Sequence, residues 1–444
     1  MKTKILTYVT AMILSGALLA SFPLAGQDAN SLPPAPRKYA VQVLPGLGGG
    51  GGAFSINNVG WAAGISNPSG DTLDNALLWR SGQMTDLGTL GGFNSAVAFP
   101  NKNEIGWLAG GSETADPDPY QENFCGFGVG CSGHTPPCAP LTQICRGFLW
   151  RNETNEMIAL PPLPGGNNSY GTGANNRQEI VGIAENGVTD PNCVTPQVFD
   201  FVGVVWRLGL HGTPFVSRRL DPIAGDAVSG AIAINENGDI VGASGPCASI
   251  GLGVGKHAVL WKEGSPIDLG NLGGVTNNIA FGLNNRGQVV GISDLLGDNV
   301  AHAFLWEGGA MKDLGTLRPD DTLALAGAIN DTGEVVGFSC GPVDCRGFHW
   351  QGGVMTDLNS VVDSTLLITQ GADINSRGEI AVQAFDPTVQ DFVAAVLIPD
   401  GDEDGPLGAT AQTENVQRKV LVLPQNIRQM LQRRLRFRGF RPGR

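Results

Sequence analysis

Charged residues are scarce in this chain: Asp, Glu, Lys and Arg together make up 16% of its 444 residues, and only five residues are His. Those five (His134, His211, His257, His302 and His349) form no catalytic set, since His257 and His302 hold equivalent places in successive repeats and the repeat spacing keeps them apart. Beyond the N-terminus no apolar run is long enough to cross a bilayer, which excludes further membrane-spanning helices. The cysteine spacings match no zinc pattern, so a structural zinc site is not expected.

What the chain has in plenty is glycine, 65 residues, with 28 prolines between short apolar pieces. That is the composition of an all-β protein rich in turns. The stretch Ala301–Ser339 shows its unit most clearly. It holds four strand-length pieces, HAFLW, MKDLGTL, LAGAIN and EVVGFS, and the Asn330-Asp331-Thr332-Gly333 turn puts Gly where a positive φ is needed. The turn hairpin recurs at Ser55–Ser66, Phe99–Ser112, Gly173–Ala184, Ala233–Ser244, Gly282–Ser293, Ala328–Ser339 and Asp373–Ala384. A strand closing on Trp recurs at Trp79, Trp150, Trp206, Trp261, Trp306 and Trp350, with a Trp-less copy ending at Ile398. Four short strands per unit, with marks as close as Trp306 and Trp350, are the pattern of propeller blades.

The two ends complement each other. Tyr39–Gly49 reads as an outer strand with no Trp strand before it, and the strand ending at Ile398 has no partner after it. The expected architecture is an all-β, seven-bladed β-propeller of four-stranded blades over 38–399, with Tyr39–Leu47 completing the last blade beside Ala394–Ile398. Closure of this kind removes exposed strand edges. A β-solenoid is the rival architecture.

These repeats resemble the HAF-repeat family of bacterial extracellular proteins, whose His-Ala-Phe stands here at His302-Ala303-Phe304. The resemblance covers roughly 38–399. Only His257 and His302 occupy the eponymous position, and the second, third and seventh copies are degenerate. The resemblance implies an exported bacterial repeat protein and brings no enzymatic activity with it.

Lys2 and Lys4 precede an uncharged apolar run, Ile5–Gly26, which reads as a secretory signal peptide over 1–26 followed by a linker over 27–37. An uncleaved membrane anchor is the competing reading. Export makes Cys125, Cys131, Cys138, Cys145, Cys193, Cys247, Cys340 and Cys345 disulfide candidates. All eight fall in the connector between the second strand of a unit and its Trp strand, hence at one face of the disc. Cys340–Cys345 reads as a local bridge and Cys193–Cys247 as a bridge between adjacent blades, with the other four pairing within one long connector. Stapled loops on a rigid scaffold are where binding concentrates, so this face is the expected ligand face. Staples that serve stability alone are the alternative.

Gly337-Phe338-Ser339-Cys340-Gly341 matches the GxSxG nucleophile pattern, but Gly and Ser recur at Gly64/Ser66 and Gly291/Ser293 and so belong to the repeat. Asp86, Asp268, Asp313 and Asp357 read as acceptors for turn amides, with a ring of inward acids holding a metal at the channel as the alternative. Asp400, Asp402 and Asp404 with Gly405 match the start of a calcium loop, yet its twelfth position is Ala411. An acidic linker over 400–415 is therefore preferred to calcium, and no cofactor is expected.

The segment 416–444 has nine basic residues and no acid, which leaves −22 for the rest of a chain whose net charge is −13. Pro424 opens a predicted amphipathic helix with Ile427, Met430, Leu431 and Leu435 on one face, and Arg428, Arg433, Arg434, Arg436 and Arg438 make it a surface-anchoring candidate. Docking on the acidic propeller, binding to an anionic membrane surface and disorder are its three readings. Nucleic acid is not expected. The sequence points to a monomeric, non-catalytic binding or scaffold module, exported to the periplasm, outer surface or surroundings of a Gram-negative cell. Its partner would be an envelope component or polysaccharide. The alternative is an envelope glycan-active hydrolase or lyase working at the channel mouth.

Overall fold

The computed structural model describes residues 37–70, 73–127, 142–247 and 255–401. The proposed signal segment, Cys131, Cys138, His134, Asp402, Asp404 and the basic tail lie outside the described residues.

The described chain is all-β, with helix limited to 3-10 turns such as Leu210–Gly212 and Leu358–Ser360. Its strands form five four-stranded sheets and one of eight. The eight-stranded sheet is two antiparallel runs of four, joined by one parallel pair, Ala301 with Leu323. Within a run the spatial order follows the chain: first strand, Asn turn, second strand, connector, Trp strand, hairpin, outermost strand. Gly48–Ile56, Ala62–Pro68, Asn75–Arg80 and Gln83–Asp86 are one such run. The last run differs. Leu367–Ile374, Ile380–Asp386 and Asp391–Pro399 take Tyr39–Val43 as their outermost partner, antiparallel, with Tyr39 opposite Pro399. The two complementary ends meet, over a shorter strand than the Tyr39–Leu47 expected. Pro45 cannot donate to a ladder, and its carbonyl accepts the Trp79 indole N–H at 2.7 Å.

The core lies between adjacent sheets of this β-propeller. Val181, Val205 and Leu220 of one run pack on Ala231, Ile240, Val259 and Trp261 of the next. Trp79, Trp150, Trp206 and Trp261 are all but fully buried because a blade is covered on both faces, so the Trp strands read as continuous apolar runs. The indole N–H groups of Trp206 and Trp261 also reach a carbonyl, those of Pro161 and Asp221 at 2.8 Å. This satisfies the one polar atom of a large buried side chain.

The repeated Gly and Ser have structural work. The first strand bulges between Ala326 and Ala328 and drives a carbonyl at the second strand, so that a Cβ on Gly337 would lie 1.9 Å from the Leu325 oxygen. Ser339 sits inside the strand Val335–Cys340, fully buried, with Oγ 2.7 Å from Asp321 Oδ2 and accepting the Leu317 N–H at 3.0 Å. It ties a connector to its sheet and is no nucleophile on an elbow. Asp86, Asp268, Asp313 and Asp357 lie on outermost strands, which corrects the alternative of an inward ring. They accept the amides of Gly88, Gly270, Gly315 and Asn359 at 2.7–2.9 Å.

Candidate binding mouth

The Asn turns set the geometry of one end of the molecule. Asn330 is typical: its Oδ1 accepts the N–H groups of Thr332 at 3.1 Å and Glu334 at 3.0 Å, which closes its own turn. Its Nδ2 is then free to donate outward, to the Asn375 carbonyl of the next turn at 3.0 Å. Asn57, Asn175, Asn235, Asn284 and Asn375 reach the carbonyls of Asn103, Asn235, Asn284, Asn330 and Asn57 at 2.9–3.1 Å. Asn103 reaches Ala174 at 3.2 Å. The chain of donations returns to the turn where it began.

The residue after each Asn (Asn58, Glu104, Asn176, Glu236, Asn285, Asp331 and Ser376) rims a cavity of about 120 Å³, together with Ile234, Leu283, Ile329 and Ile374. The rim is cross-linked. Asn58 Nδ2 donates to Glu104 at 2.8 Å, Asn176 Nδ2 donates to both Glu104 and Glu236, and Asn285 donates to Asp331 through backbone and side chain, each at 2.8 Å. Glu104, Glu236 and Asp331 thus accept several N–H bonds, while among the described residues none has a cation as partner. The one lysine in the cavity wall, Lys102, is engaged with the buried Asp373 carboxylate and the Ile374 carbonyl. Burial pushes the Asp373 carboxyl above its usual range, with the Lys102 ammonium working against that shift.

The opposite end carries the cysteines. Cys125–Cys145, Cys193–Cys247 and Cys340–Cys345 are bonded, and no described cysteine is free. Five of these six residues are buried, and Cys193 is half-buried. Cys125, Cys145 and Cys247 pack with Phe124, Phe127, Tyr170 and Phe201, and Cys340 and Cys345 with Ile279 and Leu325, so the staples are part of an apolar interior. Asp190 and Asp200 flank the Cys193–Cys247 pair.

Beside them lies a buried acidic knot that repeat spacing could not reveal. Asn168 Nδ2 contacts carboxylate oxygens of Asp118, Glu122 and Glu185 at 2.9, 3.3 and 3.1 Å. Glu122 also accepts the amides of Val198 at 2.6 Å and Phe199 at 3.2 Å, which binds one connector to the next. Burial, then the Glu185 charge, push Glu122 up to about 7. Burial and Asp190 push Asp200 up to about 6.

Two of the histidines sit beside separate acids in separate blades. His257 Nδ1 lies 2.7 Å from Asp226, and His302 Nδ1 lies 2.9 Å from Asp313 on an adjacent outer strand. Of the calcium-loop residues only Asp400 is described; it is exposed, and its N–H donates to the Lys38 carbonyl at 2.9 Å.

No family model matches the sequence, and no curated protein matches it. Among solved structures it is similar to an acylaminoacyl peptidase from Pyrococcus horikoshii, at 10% identity and a TM-score of 0.43 over 78% of this chain and 52% of that one. It is also similar to the β-propeller domain of the Trilobed protease from Pyrococcus furiosus, at 8% identity and a TM-score of 0.45 over 79% and 96%. A gluconolactonase from Xanthomonas campestris follows at 13% identity and a TM-score of 0.30 over 57% and 78%. The chain spans about half the length of the peptidases it matches. The architecture described above rests on strand pairing, not on these likenesses.

Proposed function

We propose that this chain is a seven-bladed propeller, closed by Tyr39–Val43, that serves as a non-catalytic exported binding or scaffold module at the bacterial cell surface. Its ligand sits at the Asn-turn mouth, not on the cysteine-bearing face that the loop argument favoured. The observation that carries this reading is the rim itself. Amides and carboxylates of successive turns are fixed by one another around a cavity with apolar walls, which is the composition of a site for a polar, hydroxyl-rich ligand such as an envelope polysaccharide. Three disulfides among the described residues support an oxidising compartment.

Equilibrium binding to peptidoglycan and to surface polysaccharide tests the reading, with Asn176→Ala and Asn285→Ala as rim variants. Loss of binding in both variants supports it; unchanged binding removes the mouth from recognition. The second reading, a glycan-active hydrolase or lyase, draws on Glu104 and Glu236, which share one amide donor and so lie close together. Product release that disappears in Glu104→Gln and Glu236→Gln would favour the enzyme.

A further inference from the structure

The described body begins and ends at the end that carries the mouth. Arg37 Nη1 pairs with Glu334 of the Asn330 turn at 3.1 Å, and Asp400 donates to the Lys38 carbonyl, so Gly401 leaves beside the outermost strand at the same end as the rim. From Gly401 the chain continues for 43 residues (402–444), and the part from Val416 onward carries nine basic residues and no acid. The carboxylates of Glu104, Glu236 and Asp331 on the rim have no cationic partner among the described residues, whereas the arginines of the same turns are already engaged: Arg177 with Glu179 at 3.8 Å and the Glu236 carbonyl at 3.3 Å, Arg377 with Glu379 and the Asn58 carbonyl, and Arg286 with Gln288 at 2.8 Å. Charge and position thus complement each other.

We infer that the basic segment 416–444 docks on this mouth in the same molecule, placing an arginine among Glu104, Glu236 and Asp331 and its apolar face over the turn tips, where Val59 and Ile105 are 40% and 36% exposed. The fourteen intervening residues reach up to roughly 50 Å, more than enough to return from Gly401 to the rim. A tether of this length gives an effective concentration on the order of millimolar, so that weak charge pairing suffices. A cavity of about 120 Å³ admits one long side chain. If the mouth is the ligand site, the tail is its built-in competitor. That consequence rests on the function proposed above; the docking itself does not.

Hydrogen exchange on the full chain tests the docking without any ligand. Three proteins are compared at low salt: the wild type, a rim variant (Glu104→Gln, Glu236→Gln, Asp331→Asn) whose amides still accept hydrogen bonds, and a tail variant (Arg433→Gln, Arg434→Gln, Arg436→Gln, Arg438→Gln) that leaves every described residue intact. The expected result is slower exchange of 416–444 in the wild type than in either variant, by about tenfold, a coupling near 1.4 kcal/mol. In about 0.5 M salt the wild type should match the variants. Sedimentation with vesicles containing anionic lipid adds a second readout: freeing the tail should raise binding of the rim variant severalfold over the wild type. Tail exchange that is equal in wild type and rim variant overturns the proposal, and so does vesicle binding that is equally strong in both. The latter would make the tail a membrane anchor. Loss of glycan binding with tail docking intact would leave this inference standing and sink the proposed function.

Discussion

The two ends of the molecule solve opposite problems. At the cysteine end, the described parts of connectors of very different length reach inward: Cys125, Cys145 and Cys247 are buried among phenylalanines, Cys193 is half-buried against them, and the carboxylates of Asp118 and Glu122 are hidden in a knot with Glu185 of the strand Ile180–Thr189. At the Asn-turn end, seven short hairpins of nearly one sequence are locked by neighbour-to-neighbour amide bonds, and their second residues stay open around a cavity. Length variation at one end therefore marks where extra chain had to be stabilised. Uniformity at the other marks where each turn must fit the next, and the proposed ligand site lies within that ring. Long variable loops are a fair prior for binding, but burial decides which of them can meet a partner.

The largest effect that separates the ends should come from the staples. In the chain-entropy account, removing Cys193–Cys247 as a double Ala variant costs about 4 kcal/mol, Cys125–Cys145 about 3 and Cys340–Cys345 about 2, following their separations of 54, 20 and 5 residues. Denaturant unfolding measures this, and binding at the mouth should survive each change in the folded fraction. Next comes the Asn ring. Asn330→Ala removes three bonds accepted by Oδ1, from the Thr332 N–H and O–H and the Glu334 N–H, and two donations, to Glu334 and Asn375, leaving the buried Glu334 amide and Asn375 carbonyl short of a partner at a cost of about 2–3 kcal/mol. If its melting temperature falls no further than that of a surface Asn→Ala control, the ring is not what holds the turns together.

The pH dependence follows from Glu122 and Asp200. Their folded pKa values, about 7 and about 6, lie above the ordinary carboxylate range, so the folded state binds protons more tightly than the unfolded one. Stability therefore falls as pH rises from roughly 4.5 to 7, as linkage requires. Melting temperature should be higher at pH 5 than at pH 8, and Glu122→Gln should flatten most of that slope. A rise in stability across this window would contradict the raised values of Glu122 and Asp200. The smallest structural effect is expected at the rim, where Glu236→Gln keeps its acceptor and should change the unfolding free energy measured in denaturant by no more than about 0.5 kcal/mol.

Much of the fold is legible in the sequence because it is repeated. Trp79 through Trp350 mark buried third strands, and the mismatch between Tyr39–Val43 and Asp391–Pro399 announces their pairing. The connector position of each cysteine gives its face. The proposed binding end is harder to see. An Asn at the same place in all seven turns is visible in the chain, but a single Asn in a turn already explains itself through its own backbone amides. Only the neighbour's carbonyl shows that its amide has a second task. The acidic knot has little signal: Asp118 and Glu122 belong to a connector that repeats nothing and read as solvated, while Glu185, which lies in the strand Ile180–Thr189 opposite Phe201, shows nothing in sequence that ties it to them. Lys102 likewise looks like a surface charge, since nothing in its own hairpin foretells that it reaches Asp373.

The most direct test is co-sedimentation of the full chain with surface polysaccharide, comparing wild type, the rim pair Glu236→Gln with Asp331→Asn, and the staple pair Cys340→Ser with Cys345→Ser. The account expects the rim pair to lose binding by about tenfold, near 1.4 kcal/mol, and the staple pair to bind like wild type. Binding that survives the rim change and disappears with the staple would place recognition on the cysteine end and contradict it.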